Sequence, residues 1–166
     1  LYDLAFDGTY FYGSDLTNVV YQLDFRNKRL VKEITINEMP DIKITHCAYD
    51  KKRGELWVGS FTNVGRINLD GKITQAFRNI DTARDMGAYG SAYDDITPGG
   101  PYLWIANETV EGSNQIDNVQ ILQYNLNTGK VTDVIHYAHD VPGYKVGSLN
   151  SGPNNICGIE TTTQLE

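Results

Sequence analysis

Cys47-Ala48-Tyr49-Asp50, then Leu56-Trp57-Val58-Gly59-Ser60, then Arg66-Ile67-Asn68-Leu69-Asp70: three short strand-like runs separated by turn residues form a unit that recurs. An earlier copy reads Leu4-Ala5-Phe6-Asp7, Tyr10-Phe11-Tyr12-Gly13-Ser14 and Val20-Tyr21-Gln22-Leu23-Asp24. A later one reads Ser91-Ala92-Tyr93-Asp94, Leu103-Trp104-Ile105-Ala106-Asn107 and Leu122-Gln123-Tyr124-Asn125-Leu126-Asn127. Ala5, Ala48 and Ala92 lie about 43 residues apart, a period that with all-strand content points to four-stranded propeller blades. One such unit cannot bury its own apolar face, so the copies must stack.

Within the unit, strand A is short and small-sided, as the crowded innermost strand of a blade requires (residues 3–7, 45–50 and 90–94). Strand B ends in a small pair, Gly13-Ser14, Gly59-Ser60 or Ala106-Asn107, and strand C alternates, with Leu23, Leu69 and Leu126 placed in register. Strand D is β-rich at 30–36 and follows at 72–77 and 130–137. Asp7-Gly8, Arg53-Gly54 and Pro98-Gly99-Gly100 close A to B; Asn27, Asp70-Gly71 and Asn127-Thr128-Gly129 close C to D. These residues tolerate the backbone of tight hairpins. Only residues 79–86 suggest a single helical turn. An ordinary antiparallel sandwich would explain short strands and Gly-rich turns, but not the threefold recurrence.

The expected organisation is all-β: blade 1 over residues 1–40, blade 2 over 41–83, and blade 3 over 84–140 with a B–C insertion at 108–118. Residues 141–166 then form a long loop and the first strand of a fourth blade, at 154–161. Leu165-Glu166 resembles a tag scar, and both ends read as cut from something longer. Closed propellers have about 4–8 blades. The chain is therefore expected to be part of a larger propeller or to assemble with a second chain, with interblade seams at 1–6 or 156–163.

Composition narrows the function classes. The chain has 166 residues, 40% hydrophobic and 21% charged, which suits one globular domain with a real core. A net charge of −7 disfavours nucleic acid and anionic membrane surfaces as partners. No apolar run reaches the roughly 20 residues of a membrane-spanning helix. Eleven Tyr against five Phe supply rings that can pack inward and keep a hydroxyl wet. Two cysteines, Cys47 and Cys157, have no zinc spacing and fall on neighbouring strand positions, which favours free buried thiols over a disulfide. No cofactor fingerprint, phosphate loop or nucleophile elbow is present.

The pattern Ala-Tyr-Asp, Leu-Trp-Val-Gly-Ser, Ile-Asn-Leu-Asp-Gly-Lys resembles blades of NHL-like and surface-layer (YVTN-type) β-propellers, from Leu4 to Thr161. The resemblance implies a bacterial secreted or cell-surface protein, hence an extracellular, surface or periplasmic location. Its motifs mark core and turn positions, and the fold hosts adhesion modules, binding scaffolds, sensors and lyases alike.

Connections say more about a site than motifs do. A–B and C–D turns are short, whereas residues 37–43, 79–89, 108–118 and 136–155 are long and belong to the opposite end of the blades. Long loops on a rigid sheet are where function concentrates. Strand A should open at that end near the axis, with Asp3, His46, Gly90 and Cys157 aligned. Asp41, His46, Tyr89 and Tyr144 are the candidate ligand-binding residues, and His46 is the one acid/base candidate. His136 and His139 follow a strand, where a spacing of three turns the rings to opposite faces, so no metal pair is expected. Asp94-Asp95 reads as turn capping. The Asn107-Glu108-Thr109 sequon would matter only in a eukaryotic secretory context. Two functions follow: a non-catalytic module holding a glycan, peptide or protein on the loop face, or a propeller lyase or hydrolase with a polar or metal-assisted site at the channel mouth.

Overall fold

A computed structural model of the chain describes residues 1–80, 87–108 and 119–137. They form twelve strands and, among the described residues, no helix. In chain order these are β1 (Ala5–Phe6), β2 (Phe11–Gly13), β3 (Val19–Asp24), β4 (Arg29–Thr35), β5 (His46–Asp50), β6 (Glu55–Ser60), β7 (Asn63–Ile67) and β8 (Ile73–Asn79). The third set is β9 (Ala88–Asp94), β10 (Tyr102–Glu108), β11 (Val119–Asn125) and β12 (Lys130–Tyr137). They make three four-stranded antiparallel sheets in the orders β1-β2-β3-β4, β5-β6-β7-β8 and β12-β11-β10-β9. The innermost strands β1, β5 and β9 lie against one another in sequence. The fold is that of consecutive β-propeller blades. The proposed fourth-blade strand, the insertion at 109–118, and Tyr144, His139 and Cys157 lie outside the described residues.

Pairing sets the repeat register residue by residue. Phe6 faces Phe11 and Phe11 faces Leu23; Tyr49 faces Leu56 and Leu56 faces Ile67; Tyr93 faces Leu103 and Leu103 faces Tyr124. Two expected alignments therefore move. Leu23 matches Ile67 and Tyr124, while Leu69 and Leu126 match Phe25. Ser14, not Gly13, matches Gly59 and Ala106. The strand-B shift follows from the A–B turn, which spans residues 7–10 in blade 1 but 50–55 in blade 2 and 94–102 in blade 3. A two-residue slip keeps a side chain on its face, whereas a one-residue slip reverses it.

Carboxylates and amides at the turns explain why the hairpins close as they do. Asp7, Asp50 and Asp94 end strand A in each blade, and each accepts two backbone N–H groups of its own turn. At the C–D turns Asn68 and Asn125 do the same work, and Asp24 accepts one backbone N–H together with the Asn27 and Arg29 side chains. Above strand A sits the strand-B aromatic. Tyr12 donates its hydroxyl to Asp7 at 2.7 Å and Trp104 its indole N–H to Asp94 at 2.9 Å. Trp57 breaks the series: its buried Nε1 has no partner among the described residues, and Arg66 lies 5.1 Å above the ring.

Each seam between blades is a separate apolar cluster. Ala5, Tyr12, Val20 and Ile34 of blade 1 meet Cys47, Leu56, Val58 and Ile67 of blade 2. Ala48, Trp57 and Val64 of blade 2 meet Leu103, Ile105 and Tyr124 of blade 3. At about 25 cal/mol per Å² of apolar surface removed from water, such seams are the main force holding the blades side by side. Cys47 is a buried free thiol, donating to the Tyr12 carbonyl at 3.2 Å, and burial pushes its ionisation well up.

Candidate functional site

The axial ends of the inner strands form a buried polar knot. Asp3, just before β1, accepts the N–H of Cys47 and of Ser91 on one carboxylate oxygen, both at 2.9 Å, and that of Leu4 on the other. One side chain thus ties all three inner strands. Burial raises its pKa to about 6, and the three N–H donors hold it from rising further. Thr45 adds a second tie, donating its hydroxyl to the Ala88 carbonyl at 2.6 Å.

His46 occupies the repeat position of Asp3 one blade on, and it is fully buried. Its Nε2 lies 3.2 Å from the Asn63 carbonyl, an obligate acceptor, so Nε2 carries the proton. Nδ1 then accepts from the Ser91 hydroxyl at 3.1 Å. Burial lowers the ring's pKa to about 4, which leaves it neutral at physiological pH. Both nitrogens are engaged, and the ring supports the β6–β7 turn from beneath.

That turn and the β4–β5 connection meet at the loop-bearing end. Ile36 N–H donates to the Asn18 carbonyl, Ile44 N–H to that of Thr17, and Ala88 N–H to that of Phe61. The D–A connections are thereby laced to the B–C turns, as the loop lengths imply. Between residues 38–43 and the β6–β7 turn lies an open depression of about 560 Å³. Met39 and Ile42 provide apolar lining, Glu38, Asp41 and Lys43 the charge, and Ser60 and Asn63 the far wall.

Of the sequence candidates, Asp41 lines this depression and is exposed. His46 lies under its wall through Asn63. Tyr89, at the start of β9, is half-buried and packs edge-on against Phe61 of the same turn, centroids 5.3 Å apart. The β6–β7 turn is therefore the hub that connects the three, and Tyr144 is outside the described residues. Met39 and Lys43 lie in the long connection 37–43, whereas Ser60 and Asn63 were not legible as site residues, because nothing local marks them and only the meeting of two connections brings them there. Of the two adjacent carboxylates, Asp94 caps its turn, while Asp95 holds Lys51 and Lys52 of blade 2 at 3.2 and 3.4 Å. His136, exposed on β12, lies 5.8 Å from the Trp104 ring, centroid to centroid.

The fold is that of β-propeller blades, and comparison with a solved propeller agrees. The WD40 beta propeller domain of Doa1 superposes with a TM-score of 0.50 at 8% identity, over 79% of this chain and 38% of that one. A chain of the Mitotic Checkpoint Complex is similar over 77% of this chain and 37% of its own length, with a TM-score of 0.48 and 13% identity. The chain thus spans well under half the length of either of these chains. No family profile and no curated protein matches it.

Proposed function

We propose that this chain is a non-catalytic binding module of a β-propeller, which holds a protein or peptide segment in the depression between the β4–β5 connection and the β6–β7 turn. The observation that carries this reading is the depression itself. It combines an apolar lining at Met39 and Ile42 with charges of both signs at Glu38, Asp41 and Lys43, beside a turn that His46 contacts from below through Asn63. Such a surface suits an extended segment with one apolar side chain flanked by charge. The buried state of His46, with both ring nitrogens engaged, supports binding over acid/base chemistry. Kinship with NHL-like or YVTN-type surface repeats, and a secreted or cell-surface location, belong to the same proposal and rest on the repeat motif.

Panning a displayed peptide library on the chain tests it. Selected peptides should bind Met39→Glu/Asp41→Lys at least about tenfold more weakly, a loss of roughly 1.4 kcal/mol. Selected peptides that bind both proteins equally, or a library that yields none, would overturn the assignment.

A further inference from the structure

Among the residues lining the depression, Asn63 has a side chain that is only half used. Its Oδ1 accepts the N–H of Ser60 at 3.2 Å, across the turn that these two residues close. That bond fixes the direction of the amide, because only its oxygen can accept there. The Nδ2 donor at the other corner has no hydrogen-bond partner among the described residues, although Asn63 is half-buried. Blade 1 shows what such an amide takes. Asn18, on the corresponding B–C connection, donates its Nδ2 to a main-chain carbonyl, that of Ile36, at 3.2 Å.

The turn that carries Asn63 lacks the residues that would hold it by themselves. Phe61 and Thr62 form a two-residue connection between β6 and β7, the length at which hairpins favour turns with positive φ. Neither residue adopts a positive φ, and neither is a glycine, asparagine or aspartate. Outside contacts supply what the local sequence does not. From the side, the N–H of Ile80 donates to the Thr62 carbonyl at 2.8 Å and that of Ala88 to the Phe61 carbonyl at 2.7 Å. From beneath, His46 Nε2 donates to the Asn63 carbonyl, and Ser91 of blade 3 donates to Nδ1, which keeps the proton on Nε2. Gly59 completes the fit, since a Cβ there would strike both the Asn63 carbonyl and the imidazole. Asn63 is therefore gripped at its main chain by a buried ring and at its side-chain oxygen by its turn partner.

Resting on the reading of the depression as a segment-binding site, we propose that Asn63 donates its free Nδ2–H to a main-chain carbonyl of the bound segment, with His46 the positioning residue that holds it there. Every segment carries main-chain carbonyls, so this contact fixes the register of the segment without reading its sequence. Selection falls to Met39 and Ile42 for an apolar side chain, and to Glu38, Asp41 and Lys43 for its charged flanks.

Peptides selected on the wild-type chain from a displayed library are the probe. Asn63→Asp keeps an oxygen for the Ser60 N–H and replaces only the donor. It should weaken these peptides about 10-fold or more at about 0.5 M salt, where its added charge is screened. His46→Leu fills the space of the ring but forfeits both hydrogen bonds, and should weaken them about 3- to 10-fold. His46→Gln can still donate to Asn63 and accept from Ser91, and should recover most of that loss. Affinities are compared where circular dichroism shows every variant folded. If Asn63→Asp and His46→Leu bind as tightly as wild type while Met39→Glu/Asp41→Lys loses the peptides, this inference falls and the depression stands as the site. A library without binders, or peptides that ignore Met39→Glu/Asp41→Lys, overturns both.

Discussion

Blades 1 and 2 carry the same row at the same register, Phe6-Phe11-Leu23-Leu30 against Tyr49-Leu56-Ile67-Ile73, yet Phe11 and Leu23 are half-buried where the matching Leu56 and Ile67 are fully buried core. Burial here is a property of the neighbour and not of the strand. The two blades differ again at the axis, where Asp3 and His46 hold equivalent positions with opposite chemistry. Opposite each lies a residue chosen to fit. Ser14 occupies the place that Gly59 takes across from His46, where a Cβ would strike the imidazole and the Asn63 carbonyl. Large paired with none, and small paired with small, is how a repeat keeps its backbone while changing its chemistry.

The sharpest way to break the first comparison is to truncate the same position in both blades. Leu56→Ala should cost about 2–5 kcal/mol by opening a cavity in a closed seam. Phe11→Ala, at the half-buried counterpart in blade 1, should cost less, about 1–2 kcal/mol. Equal losses in urea unfolding would mean that the two faces are not environmentally distinct.

The axial pair predicts opposite pH dependences. Folded Asp3 keeps its proton to about pH 6, whereas the unfolded chain releases it near 4. Its contribution to stability is therefore fully present below pH 4 and is lost as pH rises through 6, on the order of 3 kcal/mol. His46 is the reverse: its pKa falls to about 4, so its contribution is present above 6.5 and is lost as pH falls through 4. Between pH 4 and 6 the two trends oppose each other. Relative to wild type, Asp3→Asn should make stability fall more steeply on acidification, and His46→Gln should make it fall less. Unfolding curves at pH 4, 5, 6 and 7 that shift in parallel for both variants would contradict this assignment.

A smaller effect sharpens the pairing at the axis. Gly59→Ala should cost about 1–3 kcal/mol through overpacking, and His46→Ala in the same chain should recover part of it, because it removes one of the two clashing groups. Strict additivity in the double-mutant cycle would show that the histidine does not dictate the glycine. Smallest is the contrast between the two indoles. Trp104→Phe forfeits a hydrogen bond to Asp94 and should cost about 1 kcal/mol in that interaction, while Trp57→Phe has no hydrogen bond to lose. Thermal shifts that rank them the other way would point to packing and Arg66 as the deciding terms.

Much of the fold was legible because the period is carried by residues with a local job. Asp7, Asp50 and Asp94 cap turns, alanines line the inner strands, and alternating apolar residues mark the sheet faces. The strand-B alignment of blade 1 slipped by one residue and the strand-C alignment by two because small and apolar residues look alike at nearby places, and only hydrogen-bond pairing fixes the register. Of the site, Asp41, His46 and Tyr89 could be singled out from loop length and repeat position. Ser60 and Asn63 could not, since their role comes from a turn brought beside a connection 20 residues away in sequence.

By itself, then, the sequence determined the unit, its strands, its turns and the end that bears the long connections, because these depend on contacts within a few residues. Tertiary structure alone decided that Asp3 ties three strands together, that His46 is sealed and neutral, that Asp41 shares a depression with Asn63, and that Phe11 is half-buried where its counterpart Leu56 is core. Those outcomes depend on desolvation and on contacts between blades, which one unit read along the chain does not contain.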